Sequence, residues 1–506
     1  MTQKQEEISF ETCWDELSRG ERVRQNLSSL RSILREKGDR QGMPGCVGDG
    51  ADIIGLLSDK EPKVRKNAAL LLGDLGLCSA VGELYAHYES EETLFVKSAY
   101  LAALQKLDAS AYIEAFKARR KELASYVPAE EEKKHIAAEL RQLEELIAGI
   151  EGIGRHRFIG FDAEQKFLLT ANHRQSEVIL EETAKISASV KRSAKLHPLG
   201  VLVKSQKLLP FVKLRTYREL LLCVPVKERV KATPEDAVNA VWKSGIYQML
   251  SACMEGGEVF YFRLDVRSAM GPDEKSAFVK AFAQKLEAIS GRRFVNAPKS
   301  YEIEFRLIAA KESGFLPFVR IPSLTAGRFS YRRNVVSASI HPSLAAVLAA
   351  LARPYLKEDA KILDPFCGVG TMLIERDILV PAREKYGVDI YDDAIKFARE
   401  NAAAAGEQIH FIHRDYFDFR HSHRFDEIIA NMPLRGRKTK EEMDEFYRRF
   451  FEKARELLAK EATLILYANE VGFIKKQLRL RRDYRLLQEF VIREKEQFHL
   501  FIIRAV

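Results

Sequence analysis

From residue 361 onward the chain alternates short apolar runs with longer amphipathic ones, and the first two are joined by Asp364-Pro365-Phe366-Cys367-Gly368-Val369-Gly370-Thr371. A strand that leaves through glycines straight into a helix is a parallel-sheet device, because a tight turn needs backbone that only glycine adopts freely. The series predicts strands over 361–363, 386–390, 409–412, 426–430 and 462–467, with helices over 371–377, 392–404 and 440–458. Two last strands, 485–492 and 498–503, lie too close together for a crossover helix and predict an antiparallel hairpin at the edge of the sheet. The expected product is a doubly wound α/β domain, which binds its ligand at the carboxyl ends of the strands where their order reverses.

That series is only the last part of 506 residues, a length that suits three domains. The net charge of +9 suits a polyanionic partner without demanding one. Six cysteines (Cys13, Cys46, Cys78, Cys223, Cys253 and Cys367) are scattered, with no C-x-x-C pair and no histidine at ligand spacing, so neither a metal site nor a disulfide framework is indicated. The polar start over 2–8 does not read as a signal peptide, and the longest apolar run, 344–352, is far short of the roughly 18–20 residues that span a bilayer. The expectation is a cytoplasmic protein with no membrane segment.

Ahead of residue 150 the texture is helical. Two apolar stripes over 53–75 are broken by Ser58-Asp59-Lys60-Glu61-Pro62, and Val64-Arg65 recurs as Val96-Lys97 after 32 positions. This resembles a HEAT repeat, in which helix pairs stack; an ordinary helical bundle is the alternative. A charged helix over 130–146 and the glycines Gly149, Gly152 and Gly154 place the end of a first domain, 1–150. From 155 the runs become short and β-like, over 167–170, 200–203 and 218–224, followed by a strand over 259–266, a helix over 274–290 and a strand over 301–308. This α+β stretch, 151–325, resembles a THUMP domain by its position before the last domain, 326–506; generic α+β packing would give the same pattern.

In the last domain the glycine turn is followed by Asp389, which ends the second strand 19 residues after Gly370, and by Asp415 after the third strand. An acidic residue at that first spacing meets ribose hydroxyls in doubly wound folds. Either carboxylate could instead serve as a helix N-cap. Further on stands Asn431-Met432-Pro433-Leu434. Taken in order, these motifs resemble a Rossmann-like class I methyltransferase. The resemblance implies S-adenosyl-L-methionine as cofactor, held by Asp364, Phe366, Gly368, Gly370, Thr371, Asp389 and Asp415, with no metal.

The loop Asn431 to Leu434 resembles the (Asp/Asn/Ser)-x-Pro-aromatic loop of amine methyltransferases. An aromatic amine is a poor nucleophile. Acceptors from the Asn431 side chain and the Met432 carbonyl can hold both amine hydrogens and aim the nitrogen, while Pro433 fixes the backbone. Leu434 departs from the pattern, since it lacks the π face that stacks on a base. With Phe329-Ser330-Tyr331-Arg332-Arg333-Asn334 and Ser339-Ile340-His341-Pro342-Ser343-Leu344-Ala345, the domain resembles THUMP-containing guanine-N2 methyltransferases of tRNA. That implies N2-methylguanosine formation in RNA, with Arg328, Tyr331, Arg332, Arg333, Arg435 and Arg437 toward the substrate and the helical repeats open to a protein partner. Rival readings are a DNA, protein or small-molecule N-methyltransferase, or an RNA-binding scaffold without activity.

Overall fold

A computed structural model describes residues 9–37, 47, 50–126, 128–151, 156–171, 175–226, 230–310, 314–336 and 339–506. The polar start at 2–8 and the boundary glycines Gly152 and Gly154 lie outside the described residues. Two compact units emerge: Met1–Arg155 with Val259–Arg263 and Phe294–Glu302, and His156–Glu258 with Leu264–Arg293 and Ile303–Val506. The division is therefore not a single cut near residue 150, because two later segments pack with the helical part. No described helix is long and apolar enough to cross a membrane.

The first unit is helical over Phe10–Ser18, Val23–Lys37, Pro62–Leu75, Val81–Ser90, Leu94–Leu104, Ile113–Ser125 and Lys133–Glu151. Pro62 opens its helix at a position where a missing N–H costs nothing, and Gly76, at φ +70°, closes it in the left-handed conformation. Val64, Ala68, Leu71, Leu72 and Leu75 share one core with Val96, Leu101 and Leu104. The basic members of the recurring pairs both turn to neighbours: Arg65 binds Glu91 at 2.8 and 2.7 Å, and Lys97 donates to the Tyr88 carbonyl at 3.0 Å.

An eight-stranded sheet runs in the order Arg192–His197, Gly200–Ser205, Gln165–Thr170, Leu220–Cys223, Phe315–Arg320, Ile303–Ala309, Phe260–Arg267 and Phe294–Asn296. Pairing is antiparallel from the first of these strands to Ile303–Ala309, and parallel between the last two.

The seven-stranded sheet has the order His410–His413, Glu384–Asp389, Lys361–Asp364, Phe425–Asn431, Leu458–Ala468, Phe498–Ala505 and Tyr484–Arg493. The first five strands are parallel, and the closing hairpin inserts Phe498–Ala505 antiparallel against Leu458–Ala468. Alternate side chains feed two cores, as the pleat requires. Leu363, Ile428, Leu464 and Leu466 pack with the helix Lys440–Leu457, while Ile362, Ile429 and Ile465 pack with Pro342–Ala352, Thr371–Leu379 and Asp392–Ala405. Strand order reverses between Lys361–Asp364 and Phe425–Asn431.

Candidate active site

Both sequence motifs leave the sheet at that reversal. Ile362 pairs with Glu427 and Leu363 with Ile428, so the 364–370 turn and the 431–434 loop emerge from neighbouring strand ends. Below them Arg376, fully buried, grips the equally buried Glu427 at 2.9 and 2.6 Å and donates to the Lys357 carbonyl at 2.8 Å. The helix after the first loop is thereby tied to the strand before the second.

Asp364 is 1% exposed, and its Oδ1 accepts from the Phe366 N–H at 3.0 Å. Burial pushes its carboxyl up to about 8, and the nearby Asp389 adds to the shift. Asp389 accepts from the Gly368 N–H at 2.8 Å and the Tyr391 N–H at 3.0 Å, so it also staples the glycine turn to the second strand. Gly368 (φ +51°) and Gly370 (φ +82°) both need the left-handed region. A Cβ on Gly370 would stand 3.0 Å from the Phe411 ring, whereas one on Gly368 would meet nothing within 4 Å. The hydroxyl of Thr371, at the start of the helix, is buried without a hydrogen-bond partner among the described residues. Phe366 packs on Tyr416, Phe446 and Phe450. Asp415 caps the turn Tyr416–Asp418 by accepting from the Phe417 N–H at 2.9 Å, which leaves its second oxygen without a bond among the described residues.

S-Adenosyl-L-methionine fits this set of groups. Two carboxylates, one of them held partly neutral for want of a cation, suit a positively charged ligand, and each oxygen keeps acceptor capacity beyond its backbone bond. The open face of Gly368 lets a ligand approach the backbone. Ile390 and Tyr391, 53% and 68% exposed, add apolar surface beside Asp389. Sequence reasoning missed these two, although exposed apolar residues directly after an acidic strand end were the available signal. It also missed Asn401, fully buried, which accepts from the Arg333 and Asn334 N–H groups at 3.0 Å and donates to the Val369 carbonyl at 3.2 Å.

In the second loop the Met432 N–H donates to the Tyr467 carbonyl at 2.9 Å, and the Met432 side chain is buried. The side-chain amide of Asn431 has no hydrogen-bond partner among the described residues. Leu434 is 54% exposed. The residues expected to face substrate divide. Arg333 and Arg437 are exposed, and Arg435 is half-buried with its Nε donating to the Lys438 carbonyl. Tyr331 and Arg328 are spent inside the protein: the Tyr331 ring is 4% exposed with its hydroxyl donating to Glu375 at 2.7 Å, and the Arg328 guanidinium lies 3.7 Å over the Tyr217 ring while donating to the Arg218 carbonyl at 2.8 Å. Arg332 is half-buried, and burial lowers its pKa. Arg215 also binds Glu375, at 2.7 Å through two nitrogens. Buried Glu375 demands these partners, since an unpaired carboxylate there would carry a full desolvation cost.

Residues 330–496 match the family described as UPF0020, RMKL-like, methyltransferase domain. A curated relative, the U6 snRNA (guanine-N(2))-methyltransferase THUMPD2 of Bos taurus, is 28% identical over 158 residues, which are 31% of this chain and 29% of that protein. The chain thus aligns with less than a third of that relative's length. Among solved structures, TrmN from Thermus thermophilus superposes with a TM-score of 0.51 at 20% identity, over 68% of this chain and 100% of that one. That likeness is one of fold, and it spans more of the chain than residues 330–496. The glycine turn and the Asn431 loop both fall within 330–496, which the match makes a methyltransferase domain.

Proposed function

We propose that the chain is an S-adenosyl-L-methionine-dependent RNA methyltransferase acting on the exocyclic 2-amino group of a guanosine. The observation that carries the reading is the unpartnered amide of Asn431 in a loop released beside the Asp364–Gly370 turn at the reversal of strand order. The name of the Bos taurus relative supports guanine N2 as target and RNA as substrate. Bound S-adenosyl-L-methionine supplies a methyl group activated by its sulfonium. Asp364 receives the cationic end of the cofactor, Asp389 the ribose hydroxyls and Asp415 the adenine amine. Phe366 and Thr371 line the same turn.

Asn431 and the Met432 carbonyl accept the two amine hydrogens, which orients the nitrogen lone pair toward the methyl group. Pro433 holds that loop rigid, and Leu434 offers apolar surface to the base. No strong base is needed, because the product ammonium is acidic and releases its proton to water. Arg333, Arg435 and Arg437 are placed to neutralise phosphates. We read 151–325 as a THUMP-like RNA-binding domain and 1–150 as HEAT-like repeats that can hold a protein partner. The described cysteines are free thiols, which supports a reducing compartment such as the cytoplasm.

The test is transfer of labelled methyl to unmodified tRNA and to U6 snRNA, with digestion and mass analysis of the nucleosides. N2-methylguanosine from either RNA is the expected product; incorporation into protein or DNA alone removes the reading.

A further inference from the structure

A cavity of about 80 Å³ lies within the second unit, away from both loops in sequence, lined by Gln175, Thr216, Arg218, His341, Ser343 and Arg493 among others. Its size is that of two or three water molecules, room for one phosphate group but not for the sugars and bases that flank it in a nucleic acid. The lining is rich in donors and, among the described residues, has no carboxylate. Thr216 is 6% exposed, and its hydroxyl has no hydrogen-bond partner among the described residues. Neither the Arg218 nor the Arg493 guanidinium has an ion-pair partner among the described residues. His341 and Ser343 begin the helix Pro342–Ala352, whose terminus carries partial positive charge. The Ser343 N–H donates to His341 Nδ1 at 3.2 Å, so the proton of the neutral ring sits on Nε2. Two cations without a carboxylate partner among the described residues, one of them (Arg493) 5.8 Å over the Phe498 ring, a hydroxyl without a partner among those residues and a helix N-terminus around one small cavity are the complement of an oxyanion.

We propose that this cavity binds one phosphate group, and that its ligand is a backbone phosphodiester of the substrate RNA. The assignment to RNA rests on the function proposed above; the chemistry of the cavity does not. Gln175, Thr216 and Arg218 come from the α+β stretch, and His341, Ser343 and Arg493 from the methyltransferase domain. A phosphate held here is therefore gripped by both parts, and it fixes the RNA register relative to the methyl-transfer loops.

The full chain is tested with inorganic phosphate in thermal melts and with unmodified tRNA in binding titrations at several salt concentrations. Wild type is compared with the double variant R218Q/R493Q and with Thr216→Val, whose similar shape preserves packing. Phosphate is expected to raise the melting temperature of wild type and not that of the double variant, with Thr216→Val intermediate. The slope of log affinity against log salt for tRNA should fall in the double variant by about 0.7–0.9, the loss of one phosphate contact. No phosphate effect on wild type, together with equal salt slopes, overturns the proposal and leaves the RNA reading standing. A phosphate effect abolished by the double variant, in a protein that binds no RNA, upholds the anion site and overturns the assignment of its ligand to RNA.

Discussion

Asp364 carries the sharpest consequence at the scale of single residues. Its carboxyl, pushed up to about 8 in the fold, titrates near the ordinary value of 3.8 when unfolded. Between those values the folded chain holds a proton that the unfolded chain has released, so stability falls as pH rises through that window. The cofactor-free protein should lose melting temperature from pH 6 to pH 8, and Asp364→Asn should flatten that decline in differential scanning calorimetry. The same substitution should weaken S-adenosyl-L-methionine binding at least tenfold, because the amide cannot answer a cation; equal affinity would remove Asp364 from the cofactor site. Asn431→Ala should behave oppositely, with turnover reduced on the order of 10²–10³-fold and cofactor affinity within a few-fold, as for other groups that act on the reacting centre. Single-turnover kinetics with a parallel binding titration separates the two. These residues were legible because each lies in a short motif whose chemistry is local. Tyr331 was not, because what fixes it is Glu375, 44 positions away. Aromatic and basic side chains close in sequence to a site read as substrate contacts, while a buried carboxylate that recruits them inward leaves no mark in the sequence nearby.

Among the elements, the link between the two loops is the Arg376–Glu427 pair, fully inside the protein and bonded at 2.9 and 2.6 Å. Arg376→Met leaves Glu427 buried without its cation and should cost about 3–5 kcal/mol in denaturant unfolding, whereas adding Glu427→Leu should recover much of that loss, since a buried pair replaced by apolar groups is often near neutral. Equal stability of wild type and the single variant would show that the pair does not hold the helix Thr371–Leu379 to the strand Phe425–Asn431. Strands and helices of the C-terminal sheet were legible within a few residues because parallel strands, buried on both faces, are continuous apolar runs. The helix Val471–Leu480 and the strands Arg192–His197, Phe294–Asn296 and Phe315–Arg320 were not read. Arg192–His197 is an edge strand without buried residues, carrying arginine and lysine where an apolar alternation would have marked it. Phe315–Arg320 contains Pro317, which argues against a strand, yet it lies between two partners. Phe294–Asn296, three residues long, is too short to show a period.

For the whole molecule, the sequence suggested a helical domain that ends near 150, but the packing predicts a cost for cutting the chain there. Val259–Arg263 and Phe294–Glu302 belong to the same compact unit as Met1–Arg155. Within that unit Arg120 donates to the Tyr261 hydroxyl at 3.2 Å, and Tyr261, Val295 and Ala297 are 3%, 2% and 3% exposed. A reading along the chain cannot find this, because hydrophobic texture shows which residues want burial and not which distant segment buries them. A shortened chain of 156–506 should therefore melt lower than the full chain and bind a hydrophobic dye, with Tyr261 and Val295 facing water. Restoring 1–155 as a separate polypeptide should reverse both effects if the helical part folds by itself. Polar substitutions of Tyr261 and Val295 should quench the dye signal without that addition. If 156–506 melts with the full chain and binds no dye, the two segments are indifferent to the helices, and the helical part is an appendage after all.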